Sequence, residues 1–241
     1  VSGLRGRTRR GRLQQLDRWL CATEPALVGR QGRVLDVGLG DEPWTTVELA
    51  EAVDAEVIGL DAVASRVATA RRLAPEHRFE VGEWTGGQRE ATVVRAMNVV
   101  RQLTPAEVPA AHARLGQALR PGGIVLEGSC SHTGDCLVAH VLRRREALVA
   151  EAMVFATTFA RGFAPRMYLH QLPRDLRKRA RHAGRGDVAR LAGGVRGDRG
   201  PGGVAAVGFR GTAGGPVAGR GVGARRGHLA PTLTSVAQLA A

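Results

Sequence analysis

Residues 33 to 40 read Arg33-Val34-Leu35-Asp36-Val37-Gly38-Leu39-Gly40, a short apolar run that ends in Gly-x-Gly. Such a run predicts a buried strand that turns sharply into a helix. Glycine permits the turn and lets backbone approach a ligand where a side chain would stand in the way. A second apolar run, Val57-Ile58-Gly59-Leu60, closes on Asp61, 21 residues beyond Gly40. In nucleotide-type folds a carboxylate at that place accepts hydrogen bonds from ribose hydroxyls. Together the two segments predict a ribose-bearing cofactor held at Gly38, Gly40 and Asp61.

The residues after the glycines narrow the choice of cofactor. A dinucleotide fingerprint counted from Gly38 needs glycine at position 43, where this chain has Pro43, and Asp41 and Glu42 stand between. A pyrophosphate docks on bare amides and a positive helix end, so two adjacent carboxylates oppose it. S-adenosylmethionine has no phosphate and carries a sulfonium and an ammonium, so the same acids are tolerated. The loop therefore favours S-adenosylmethionine over NAD, and an NAD-type reductase is the weakest of the enzyme readings.

Val34 to Gly40 resembles the first motif of the class I S-adenosylmethionine-dependent methyltransferases, and Asp61 resembles the acidic end of their second strand. Leu119-Arg120-Pro121-Gly122-Gly123-Ile124-Val125-Leu126 is similar to their turn into the fifth strand. The resemblance covers residues 10 to 180, and it departs at Glu42, where the family often has a third glycine. It implies a Rossmann-like three-layer α/β/α fold, with a mostly parallel sheet and a terminal antiparallel hairpin. It also implies adenine contacts at Gly82 and Glu83, where the third strand ends, and methyl transfer to an acceptor that the sequence does not name.

Apolar periodicity lays out the elements. Leu13, Leu16 and Leu20, widened by Trp19, predict an amphipathic helix from Gly11 to Cys21 over the sheet edge or the cofactor mouth. Strands are expected at 33–37, 56–60, 78–82, 91–97 and 123–129, with helices at 44–53, 63–73 and 105–119. Thr104 and Pro105 read as cap and first residue of the last of these helices. This alternation predicts a parallel sheet covered on both faces. Residues 137–159 read as two strands joined at Arg143-Arg144-Arg145 or as partly helical, and the resemblance favours the hairpin. Pro165 to Arg179 reads as a short helical region interrupted at Pro173.

Asp36 is expected to orient the glycine loop or meet the cofactor's ammonium. Asn98 and Arg101 follow the fourth strand, at the edge where such folds open a crevice, and are the candidates for presenting an acceptor. Methyl transfer is an in-line displacement that depends chiefly on proximity and orientation, so a dedicated base is optional. Cys130, His132, Cys136 and His140 do not follow a structural-zinc spacing, and no metal is expected.

The net charge is +13, and its distribution matters more than its size. Residues 1–12 carry five arginines and no acid, and residues 181–241 carry nine arginines against Asp187 and Asp198. The segment between is nearly neutral, so the basic ends are the one route to a nucleic-acid partner. The alternative to an enzyme is a non-catalytic cofactor-fold module that binds a partner through those ends. Residues 1–12 are expected to be a basic disordered arm, 13–180 the cofactor-binding domain, and 181–241 a Gly/Arg-rich disordered tail. The tail's Arg, Gly, Ala, Pro and Val also fit an out-of-frame reading of a GC-rich gene. Three scattered cysteines fit a reducing, cytoplasmic setting. No apolar run approaches the length of a membrane span.

Overall fold

The computed structural model describes residues 9–82, 90–159, 165–172 and 205–210. Its spine is an eight-stranded sheet built from β1 (Arg33–Val37), β2 (Glu56–Asp61), β3 (Arg78–Val81), β4 (Ala91–Met97), β5 (Leu119–Cys130), β6 (Cys136–Arg144), β7 (Leu148–Thr157) and β8 (Ala205–Arg210). The strand order is 3-2-1-4-5-6-7-8. Strands β1 to β5 are parallel, and β6, β7 and β8 add on antiparallel. The chain reverses direction across the sheet between β1 and β4, and in open α/β sheets such a switch point opens a ligand crevice beyond the carboxyl ends of the strands.

Among the described residues, five α-helices clothe the sheet: α1 (Gln14–Thr23), α2 (Pro25–Val28), α3 (Trp44–Ala52), α4 (Ala64–Leu73) and α5 (Val108–Gln117). Side chains alternate along a strand, so neighbouring residues serve opposite layers. Val34, Val93, Ile124 and Leu126 pack in one cluster with Leu16 and Leu20 of α1 and Leu49 of α3. Leu35, Val94 and Val125 pack in another with Val108 and Leu115 of α5. The result is the expected three-layer α/β/α architecture with a mostly parallel sheet and an antiparallel end.

Several boundaries differ from the sequence reading, each for a local reason. Helix α1 begins after Gly11, which takes a left-handed φ of 73° and donates its amide to the Glu48 carboxylate at 2.7 and 2.9 Å. It packs beside α3 and touches β7. Helix α5 starts at Val108 and not at Pro105. Glu107 turns back to accept both the amide and the hydroxyl of Thr104 at 2.6 Å, which holds the intervening residues as a turn. Strand β5 begins at Leu119, four residues early, through a register irregularity against β4. Residues 137–159 are strands, not helix. Pro165–His170 is a 3-10 helix, and Pro173 to Arg179 lie outside the described residues.

The expected disordered arm and tail lie largely outside the described residues. Ala205–Arg210 are an exception, forming β8 where composition predicted disorder. The segment Ala205-Ala206-Val207-Gly208-Phe209 has no charge, and the outer edge of β7 offers a row of unpaired backbone groups to which it adds. Among the described residues, no helix is long and apolar enough to cross a membrane.

Candidate functional site

Gly38, Gly40, Asp61, Gly82 and Asn98 all lie at the carboxyl ends of the parallel strands, on one edge of the sheet. Gly38 and Gly40 adopt left-handed φ angles of 87° and 72°, which turn the chain off β1. The amide of Gly38 donates to the Leu60 carbonyl at 2.8 Å, fastening the turn to β2. A Cβ on Gly38 would come within 2.9 Å of Val99 Cγ2, so the residue is fixed by space as well as by conformation. Next door, Asp61 is 6% exposed, and one carboxylate oxygen accepts the Val63 amide at 2.9 Å. Gly82 donates to the Asp61 carbonyl at 3.1 Å, which joins the ends of β2 and β3. Val63 and Val81 remain 44% and 51% exposed on either side, an apolar flank suited to a flat ring. Glu83 lies outside the described residues.

Arg66 was not anticipated. From the first turn of α4 it stands 3.7 Å from Asp61 and 3.6 Å from Asp41, spanning the glycine loop and the end of β2. Its sequence signal, an arginine five residues after a strand-end acid, is too common to be read without the fold. Glu42 accepts the Trp44 indole N–H at 3.0 Å, so this carboxylate is turned back onto its own loop.

Asp36 points inward, not to the edge. It is paired across the β1–β4 register with Arg95, whose Nε and Nη2 donate to its two oxygens at 2.8 Å each. The Thr46 hydroxyl adds a further bond to Asp36 at 2.6 Å. Arg95 also donates to the Thr45 carbonyl at 2.7 Å and to Asp17 on α1. Asp17, Asp36 and Arg95 are all buried. Burial opposes the Arg95 charge, but Asp17 and Asp36 together hold its pKa above the ordinary range. Two carboxylates share one guanidinium, leaving a surplus negative charge. It falls on Asp17, where burial outweighs the pull of Arg95 and pushes the carboxyl up to about 6. The sequence did carry a trace of this cluster, an arginine inside the apolar run Val93-Val94-Arg95-Ala96-Met97.

Asn98 holds a left-handed φ of 62°, a conformation asparagine tolerates better than most residues. Its side chain spans to β5: Oδ1 accepts the Cys130 amide at 3.2 Å, and Nδ2 reaches Cys130 Sγ at 3.3 Å. Arg101, in the short 3-10 helix Val100–Gln102, approaches Asn98 Oδ1 at 3.4 Å. The structure thus brings both candidates together, with Asn98 engaged in tying β4 to β5. Elsewhere, His140 of β6 and His112 of α5 each place a ring nitrogen 3.6 Å from the same oxygen of buried Glu127. Cys136 Sγ faces the Met167 carbonyl at 3.5 Å. No group of three potential ligands forms a metal site among the described residues.

No family model matches this sequence, and no curated protein matches it. Among solved structures it is similar to an amino pentose methyltransferase from Micromonospora echinaspora bound to S-adenosylmethionine. That match has 22% identity over 63% of this chain and 69% of that one, with a TM-score of 0.43. A geranyl diphosphate C-methyltransferase from Streptomyces coelicolor matches at 16% identity over 49% and 46% of the two chains, TM-score 0.40. The cyclase SpnF matches at 20% identity over 48% and 44%, TM-score 0.40. One fold description thus spans a transferase and a cyclase, and likenesses at this level carry no argument about activity. The fold assignment rests on the strand order and register described above.

Proposed function

We propose that the chain is an S-adenosylmethionine-dependent methyltransferase, with Gly38, Gly40, Asp61 and Gly82 holding the cofactor. The observation that carries this reading is the juxtaposition at one sheet edge of a Gly-x-Gly turn and a strand-end carboxylate. Asp61 is suited to the ribose hydroxyls, and the exposed faces of Val63 and Val81 to the adenine. Glu83 is proposed as an additional adenine-side contact from its sequence position. Gly38 gives the turn its left-handed φ of 87°, and Val99 fills the space a Cβ would take. Asp41 and Glu42 at the same turn suit a cationic amino-acid end and oppose a pyrophosphate. When bound, the cofactor supplies an electrophilic methyl group. The protein's part is to orient and to exclude water, with Asn98 and Arg101 the residues beside which an acceptor is presented.

Asn98 favours a second reading in one respect. Its carbonyl oxygen and amide nitrogen are both taken up by Cys130, so the edge shows a structural clamp where a catalytic group was sought. A non-catalytic cofactor-fold module, recruiting a partner through the basic ends, is the corresponding alternative. Incubating the full chain with methyl-labelled S-adenosylmethionine and fractions of its source cell separates the two. Labelled product supports the transferase, whereas cofactor binding with no transfer to any fraction supports the module.

A further inference from the structure

The loop from Gly38 to Pro43 is anchored from beneath by one buried side chain. Arg95 grips Asp36, two residues before the loop, through both of that carboxylate's oxygens. On the far side it binds the carbonyl of Thr45, two residues after the loop, while Thr46 closes the circuit through its hydroxyl on Asp36. Its remaining terminal nitrogen crosses to Asp17 on α1. Helix α1 is seated again at its start, where Gly11 bonds Glu48 of α3 and Arg12 Nε bonds the Ser131 carbonyl at 3.1 Å. Three elements that meet at the cofactor edge therefore share one planar, five-donor group. Lysine has neither the fork nor the reach to make these bonds together.

We propose that Arg95 is a positioning residue for the glycine loop, which it brackets and ties to α1, so that loop geometry and the seating of α1 are coupled. The consequence for ligand affinity rests on the donor-site reading given above. The coupling itself does not, because every contact invoked lies within the protein. Asp17 Oδ2 is buried without a hydrogen-bond partner, so the α1 end of the circuit is its weakest joint. Loosening is expected to start there and to reach the loop through Arg95. A buried charge group that served stability alone would lower the melting temperature without linking these two segments.

The test uses the full chain and its Arg95→Lys variant, with Thr46→Val as a milder second variant that removes only the hydroxyl on Asp36. Hydrogen exchange of the ligand-free proteins is followed at residues 37–46 and at α1, alongside thermal melts and titration with S-adenosylhomocysteine. In Arg95→Lys, exchange should quicken at both segments together while the remaining sheet is unchanged, and affinity should fall at least tenfold. In the wild type, S-adenosylhomocysteine should slow exchange in α1 as well as in the loop, and in Arg95→Lys only in the loop. Wild-type exchange in Arg95→Lys, or uniform acceleration across the whole sheet, overturns the inference. If the arginine variant does not fold, Thr46→Val decides, with faster exchange at residues 37–46 expected and no change contradicting. Absence of S-adenosylhomocysteine binding by the wild type would defeat the donor-site reading, while the ligand-free exchange still judges the coupling.

Discussion

Gly38 takes a φ of 87° with Val99 packed against the space a side chain would need, so the turn admits one residue type on two separate counts. Gly38→Ala is expected to cost about 1–3 kcal/mol of stability from left-handed strain and overpacking together. Chemical denaturation checks this, and a cost near zero would mean that Val99 yields freely. This glycine was legible in the sequence because its requirement is local: an apolar strand followed by Gly-x-Gly announces the turn. Asp61 was legible for the same reason, as an acid closing the next apolar run. Arg95 and Asp17 were not, because their meaning arises between residues 78 positions apart in the chain. An arginine in an apolar strand signals a partner without saying which one. For Asp36 the sequence leaves two readings, orienting the glycine loop or meeting the cofactor's ammonium, and the carboxylate lies bonded to Arg95 and Thr46 beneath that loop.

At the scale of elements, α5 is held to the sheet by apolar packing and by the approach of His112 to Glu127. Although burial pushes the other way, the imidazoles of His112 and His140 hold the Glu127 carboxyl below its ordinary range. A depressed carboxyl adds stability above its unfolded value, here 4.5, and loses it as pH falls through the lower folded value. Glu127→Gln should therefore flatten the acid limb of the stability profile below about pH 4.5, measured by urea denaturation. Asp17 works in the opposite sense. Its carboxyl is raised from 3.8 to about 6, so the folded state binds the proton more tightly. Its contribution is present below the ordinary value and is lost as pH rises towards 6. Asp17→Asn should remove that decline, and an unchanged slope would show that Asp17 titrates normally. Periodicity anticipated the alternating strands and helices because each buries a regular face. It missed the four-residue α2, which is shorter than any period, and β8, whose place depends on the free edge of β7.

For the whole molecule, the cofactor edge and the antiparallel end are separate parts of one sheet. The edge is built from β1 to β4, whereas β8 attaches beyond β7, four strands away from β4. Deleting residues 181–241 should leave affinity for S-adenosylhomocysteine within about twofold, since energetic effects at distant, unshared sites are nearly independent. The same deletion should lower the melting temperature by the loss of one edge strand, and a large loss of affinity would show that the tail reaches the site. Removal of the nine C-terminal arginines should also weaken any RNA binding by the full chain and reduce its salt dependence. The central claim is that the carboxyl edge holds S-adenosylmethionine through Asp61 and the glycine turn. Calorimetric titration of the full chain with S-adenosylhomocysteine and with NAD, repeated on Asp61→Ala, tests it most directly. The account predicts saturable one-to-one binding of S-adenosylhomocysteine, no measurable heat from NAD, and at least a tenfold loss in Asp61→Ala, with the variant still folding cooperatively in a thermal melt. Binding of NAD in preference, or wild-type affinity in Asp61→Ala, would contradict it.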